Sequence, residues 1–293
     1  MYQSSLIEQI EEPATRTVRI AALLTTFNRK DKTLACLQSL SKQNLLSNTS
    51  ITIHLTDDGS SDGTADAVKF YYPEAHIYHG NGSLFWAGGM RSSWSSALGK
   101  GYDYYLLLND DTFLTETAVQ TLLSHPRSSS SICVGTTADA EGKLTYGGRK
   151  IKNKVFVSDY RVYSENSFLD CDLGNANIML VPAGIVQRIG ILSQNFTHGI
   201  ADYDYTLKAR KAGFGVVVAP GILGMCVHDH GKNWKPSGTS LKERIAYLKS
   251  PKGLAYKEYL EYIKDHFPLY YPSAFTKLWV KTLFPSVWER LKK

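Results

Sequence analysis

The chain has 293 residues, 43% hydrophobic and 20% charged, an ordinary globular composition with length enough for a large core. Its net charge of +6, from 33 basic against 27 acidic residues, suits a nucleotide or phospholipid partner and is too modest to imply nucleic acid. Four widely spaced cysteines without a Cys-x-x-Cys pair argue against a disulfide framework or a zinc site and for an intracellular protein, and no run of about 18 apolar residues is present to span a membrane.

Residues 1–17 are polar, with Glu8, Glu11 and Glu12, and read as a lead-in unlike a signal peptide. Residues 18–24 form an apolar, strand-like run ending in Thr25-Thr26-Phe27-Asn28-Arg29. Leu34, Leu37 and Leu40 then recur at helical spacing across 31–44. Residues 51–55 alternate as a second strand, which stops at Asp57-Asp58-Gly59-Ser60, and a helix begins near Thr64. Residues 76–79 make a short third strand, 87–99 a helix, and 104–108 a fully apolar and therefore central fourth strand. This alternation predicts an α/β fold with a doubly wound, mostly parallel sheet flanked by helices. Right-handed crossovers then set the loops after the strands along one edge, where such sheets bind ligands.

The second half is less regular. Residues 143–147 and 154–157 suggest a hairpin, 178–181 are apolar, and a helix starts at Pro182. A helix over 202–212 is stopped by Gly213, and a strand follows over 216–219. Residues 236–240 are a polar breaker, beyond which the pattern is helical and divided by Pro268, Pro272 and Pro285.

Asn109-Asp110-Asp111 follows the central strand. Two adjacent carboxylates repel each other and suit a hard cation such as Mg2+ or Mn2+, which takes oxygen ligands and bridges to phosphates. The plainer reading is a solvated turn or a helix cap. The company of the other strand-end loops favours the metal.

Five segments stand in order: Leu24-Thr25-Thr26-Phe27-Asn28-Arg29, Asp57-Asp58-Gly59-Ser60-Ser61-Asp62-Gly63-Thr64, Gly82-Ser83-Leu84-Phe85-Trp86-Ala87-Gly88-Gly89-Met90-Arg91, Leu108-Asn109-Asp110-Asp111 and Asp202-Tyr203-Asp204-Tyr205, the last followed by Arg210 and Gly213. Across roughly residues 18–230 the chain resembles the family 2 glycosyltransferases of GT-A fold, especially bacterial rhamnosyltransferase-like members.

That resemblance implies roles. Thr25, Phe27 and Asp58 would hold the nucleotide base, with Phe27 stacking and Asp58 accepting from a ring N–H. Arg29 would face the diphosphate, Asp110 the ribose or sugar, and Asp111 the metal. Trp86 would shape the donor-sugar pocket, and Arg91 would contact phosphate or an acid pair. Asp202 would be the general base, where many members carry Glu-Asp and this chain has Ala201-Asp202; Asp204 is the alternative. His228, ahead of His230, would complete a metal or diphosphate site. Each has a plainer reading: a turn Thr, a core Phe or Trp, an Asx-turn or N-cap Asp, a surface Arg, a structural His.

The expected layout is a lead-in over 1–17, a GT-A catalytic domain over 18–236 with its nucleotide-binding half over 18–111 and acceptor half over 112–236, and a C-terminal helical extension over 237–293. The expected activity is inverting, metal-dependent and non-processive hexosyl transfer from a nucleotide-diphosphate sugar, dTDP-rhamnose or a UDP-hexose. The acceptor would be a growing bacterial surface glycan or lipid-linked oligosaccharide. Residues 274–293 alternate aromatic and basic side chains, fitting either a membrane interface or packing on protein, so the expected location is the cytoplasm, peripheral at the inner membrane face if the tail binds lipid. Oligomeric state is open, a homo-oligomer included. The alternative to an enzyme is a non-catalytic sugar-nucleotide or carbohydrate-binding scaffold derived from a transferase.

Overall fold

The computed structural model describes residues 16–227, 238–286 and 288. The expected lead-in before residue 16, His228 and His230, and the last residues of the tail lie outside the described residues.

The first half follows the sequence pattern closely. β1 (Val18–Thr26), α1 (Lys30–Ser41), β2 (Thr49–Asp57), α2 (Thr64–Tyr71), β3 (His76–His79), α3 (Phe85–Ala97) and β4 (Tyr104–Leu108) succeed one another. β1 pairs in parallel with β2 and β4, and β2 with β3. Ile20 to Leu24 are fully buried because the sheet is covered on both faces. Alternate side chains serve opposite cores: Ala21 and Leu23 join the layer under α3, while Ile20, Ala22 and Leu24 join the layer under α1. In α1, Thr33, Cys36, Leu37 and Leu40 are the buried stripe. α3 lies very close to β1. A Cβ on Gly89 would sit 2.0 Å from Thr25 Oγ1, so only glycine lets the helix approach there.

The chain then forms β5 (Phe113–Leu114), α4 (Ala118–Leu123), β6 (Ser131–Ala138), β7 (Gly148–Asn153), β8 (Ser158–Val162), β9 (Leu169–Asp170), β10 (Leu173–Gly174), β11 (Ile178–Pro182), α5 (Ala183–Ile189), α6 (Ala201–Lys211) and β12 (Gly215–Met225). Among the described residues one nine-stranded sheet runs β3-β2-β1-β4-β11-β6-β12-β5, with β9 beside β12. β11 is reversed, antiparallel to both β4 and β6, so the sheet is mostly rather than wholly parallel. The beginning of β11 therefore reaches the same sheet edge as the end of β4, where the Asn109 N–H donates to the Asn177 carbonyl at 3.2 Å.

Two expectations shift. β6 escapes the pattern because Ser131, Thr136 and Thr137 interrupt its apolar run, yet every residue of it is buried. The hairpin sits a few residues later than expected, as β7 and β8, with residues 154–157 in the turn. Gly148 fixes that register, since a side chain there would collide with Val218.

Beyond the main sheet, α7 (Leu241–Lys249) starts with a capping box between Ser240 and Glu243. α8 (Tyr256–His266), a 3-10 turn at Pro268–Tyr270 and α9 (Tyr271–Leu283) follow. Leu260, Ile263, Phe267 and Leu278 join the same core cluster as Leu107 and Val134, so the helical extension packs on the sheet domain. His266 Nε2 lies 2.8 Å from Asp204 Oδ1 with both side chains buried, and the Lys211 ammonium donates to the Asp265 carbonyl at 2.7 Å. Phe275, Leu283 and Phe284 stay exposed. Among the described residues no helix is long and apolar enough to cross a membrane.

Candidate active site

The loops after β1, β2, β3 and β4 meet at one sheet edge and open into a cleft of about 810 Å3. After β1, Asn28 takes a positive φ of 52°, a conformation asparagine tolerates. It accepts from the Ser61 N–H at 2.7 Å while its own N–H donates to Ser60 Oγ at 2.9 Å, which locks the first loop to the second. Phe27 projects into the cleft 45% exposed, and Thr25 lies beside it.

Asp58 organises the third loop. Its Oδ1 accepts from the Gly82 N–H at 2.9 Å, and its Oδ2 from the Leu84 and Phe85 N–H groups at 2.9 and 3.0 Å. These bonds shape the entry to α3, where Phe85 holds a φ of 53°. Asp58 is 4% exposed but lines the cleft, so its first task is to hold backbone rather than to meet a ligand. In the first turn of α3, Trp86 Nε1 donates to Asn109 Oδ1 at 2.8 Å, which joins the third loop to the acidic one.

In the acidic loop, Asp110 is 6% exposed and Asp111 more open. Burial raises the Asp110 carboxyl to about 6 against the lowering effect of Arg29, with Asp111 adding a smaller rise. Arg29 Nη1 lies 2.6 Å from Asp111 Oδ2 and 3.3 Å from Asp110 Oδ1, an internal counter-ion for the pair. Asp110 Oδ2 is buried without a hydrogen-bond partner. Among the described residues no group of three or more His, Cys, Asp or Glu converges on one point. Two carboxylates with an unused buried oxygen nevertheless fit a hard cation that draws its remaining ligands from a phosphate and water.

Asp202, in the first turn of α6, reaches the same cleft. It accepts from the Ala176 N–H at 3.2 Å and Asn175 Nδ2 at 3.4 Å through Oδ2, and from the Tyr203 N–H at 2.8 Å through Oδ1. Burial raises its carboxyl above the usual aspartate range, partly offset by those bonds. The segment leading to it is tied from two sides. Arg91 Nη1 donates to the Ser193 and Phe196 carbonyls at 2.7 Å each, and Glu258 of α8 accepts from the Thr197 N–H at 3.0 Å and its hydroxyl at 2.5 Å. The segment ends at Ile200, whose φ of 71° is strained for a β-branched residue.

Thr25, Phe27, Arg29, Asp58, Trp86, Asp110, Asp111 and Asp202 thus share one cleft. Arg91 does not. Five residues after Trp86 it is turned about 140° around the helix, toward the carbonyls it binds. Asp204 is also excluded as the base, being fully buried and paired with Lys208 and His266. His228 lies outside the described residues. Sequence reading passed over Arg149 and Arg161 of the β7–β8 hairpin and Asn175 to Asn177 before β11, all cleft residues. The sequence signal for the last is a pair of asparagines directly ahead of an apolar strand.

A sequence profile described as "Glycosyl transferase family 2" matches residues 22–179, more than half of the chain. Among solved structures the chain is similar to the mannosyltransferase PcManGT from Pyrobaculum calidifontis in complex with GDP-Man and Mn2+, at 14% identity and TM-score 0.54, covering 94% of this chain and 73% of that one. It is similar to GalNAc-T7 with UDP, GalNAc and Mn2+ at 12% identity and TM-score 0.62, covering 92% of this chain and 52% of that one. It is also similar to S. aureus TarS 1-349 in complex with UDP at 13% identity and TM-score 0.51, covering 91% and 79%. At these identities the likeness is one of fold. A search of curated proteins found no match.

Proposed function

The chain belongs to glycosyl transferase family 2, and on that premise we propose an inverting, non-processive hexosyltransferase that uses a nucleotide-diphosphate sugar, dTDP-rhamnose or a UDP-hexose, and glycosylates a hydroxyl of a bacterial surface glycan or lipid-linked oligosaccharide. The observation that carries this reading is the shared cleft, in which a buried acid pair and a separate aspartate of raised pKa stand together. The donor neighbours' bound GDP-Man, UDP and Mn2+ support the same donor chemistry.

Phe27 offers its exposed face to the base and Thr25 its hydroxyl, while Asp58 keeps the adjoining loop in shape. Asp110 and Asp111 would hold Mg2+ or Mn2+. Such an ion supplies Lewis-acid neutralisation of charge on the leaving diphosphate. Arg29 has the reach to turn from the acid pair to a phosphate. Trp86, fixed by Asn109, limits the sugar pocket. Asp202 takes the proton of the acceptor hydroxyl as that oxygen attacks the anomeric carbon, and a raised pKa suits a base working near neutral pH. His228 remains a candidate for the metal or diphosphate site. Residues 18–236 serve as the catalytic unit and 237–293 as its brace. Exposed Phe275, Leu283 and Phe284 favour a peripheral membrane contact through α9, at the cytoplasmic face; equal partition of the full chain and a Phe275→Ser/Phe284→Ser variant onto anionic liposomes would remove it.

Thermal stabilisation by dTDP, UDP, GDP and CMP, each with and without Mn2+, tests the donor site. A Mn2+-dependent rise with one nucleoside diphosphate, lost in Asp111→Asn, is expected. No rise with any of them would leave a non-catalytic scaffold as the better reading.

A further inference from the structure

The β7–β8 hairpin carries charge on both faces, and only one face is balanced. On the face away from the cleft, Lys150 pairs with Asp170, and Arg210 lies 2.7 Å from Asp170 and 3.1 Å from Asp172. Two cations meet two carboxylates. On the cleft face, Arg149 and Arg161 stand directly opposite each other across the antiparallel pair. Like charges in that position repel and destabilise the pairing. Asp159 pairs with Arg149. No carboxylate of the described residues pairs with Arg161, which instead donates to the Leu144 and Thr145 carbonyls at 2.5 and 2.7 Å. Arg161 thus lines the cleft held by carbonyl oxygens rather than by a carboxylate.

Both arginines line the cleft that also holds Asp202, the proposed base, and Tyr203. Arg29 serves the acid pair at Asp110 and Asp111 separately. A guanidinium pair also offers the planar N–H forks that bind oxyanions in bidentate fashion.

We infer that Arg149 and Arg161 form an oxyanion subsite for the acceptor, so that the substrate hydroxyl is presented by a molecule bearing a phosphate or carboxylate close to it. This rests on the reading of Asp202 as the base. Acceptors without such a group are bound weakly. Asp159 tunes the subsite by occupying one guanidinium.

Glucose, glucose 6-phosphate and glucuronate share a ring and differ in charge, and their binding to the full chain by ligand-observed NMR at low ionic strength tests the subsite. One or both anionic sugars are expected to bind about tenfold or more tightly than glucose, and which one does so names the oxyanion. Arg161→Gln loses that preference. Asp159→Asn strengthens it, an outcome that mere damage to the hairpin would not give. Equal binding of all three sugars, an unchanged preference in Arg161→Gln, or competitive displacement by the nucleoside diphosphate that stabilises the protein would overturn the inference. Nucleotide stabilisation measured on the same samples keeps a failed subsite distinct from a failed donor site.

Discussion

Replacing Asp58 by asparagine exchanges one carboxylate oxygen for an NH2 group and tests how this side of the cleft is held. The carboxylate accepts from three backbone N–H groups, one on Oδ1 and two on Oδ2. The amide keeps a single acceptor. Its best orientation faces the oxygen to Leu84 and Phe85 and the NH2 group to the Gly82 N–H, donor against donor. One charge-assisted bond is lost, about 1.5–3 kcal/mol, and the two retained bonds become neutral and weaker. A total near 3 kcal/mol, centred on the buried Asp58 side chain, raises the open population about a hundredfold. Hydrogen exchange should therefore accelerate by about that factor at the Gly82, Leu84 and Phe85 amides, while the amides of β1 and β4 exchange as before. Stabilisation by nucleoside diphosphate should fall with it, because Asp58 and Gly82 both line the cleft. Unchanged protection at those three amides would refute the reasoning, whatever happened to activity.

Asp202→Asn should lower transfer by about 10²- to 10⁴-fold with nucleotide stabilisation intact, measured in a single-turnover assay. The raised Asp202 pKa gives opposite signs to two pH profiles: the folded protein holds that proton more tightly than the unfolded chain, so this group's contribution to stability declines as pH rises through its folded pKa, while activity, which needs the carboxylate, rises across the same window above the usual aspartate range. Urea melts and initial rates measured across that range should diverge in wild type and not in Asp202→Asn. In Gly89→Ala the new methyl meets Thr25 Oγ1 at 2.0 Å and Thr25 Cβ at 2.7 Å; overpacking of about 3 kcal/mol outweighs the helix-propensity gain of about 1 kcal/mol, and a higher urea midpoint would contradict this. Glu258→Ala should cut kcat about 10- to 100-fold at unchanged donor KM by freeing the segment before Asp202, and Glu258→Gln should recover most of it; a change confined to KM would count against a positioning role.

The sequence showed its first half well because that half is repetitive physics. β1 and β4 are apolar on both faces, and each ends in a polar loop that the parallel topology carries to one edge. The second half hid for specific reasons. Thr136 and Thr137 make β6 look like a loop, though Thr137 Oγ1 meets Thr145 Oγ1 at 2.8 Å inside the protein. β11 runs against its neighbours, which no local periodicity reveals. Within the cleft, residue type was informative but direction was not. Arg91 lies in the right segment on the wrong side of its helix, and Asp204 is only two positions from Asp202 yet turned about 200° away into the core. Arg149 and Arg161 become significant only once pairing sets them face to face.

The clamp by α8 on the segment before Asp202 has a consequence for how the protein is made. Synthesis delivers the strands and loops around Phe27, Asp58 and Asp110 early, and such units fold as they emerge. Glu258 and His266, which fix Thr197 and Asp204, arrive only with the final helices. Until α8 is made, the segment around Asp202 therefore lacks both contacts, so on the proposed reading of Asp202 as the base the chain becomes competent for transfer only when its last helices pack.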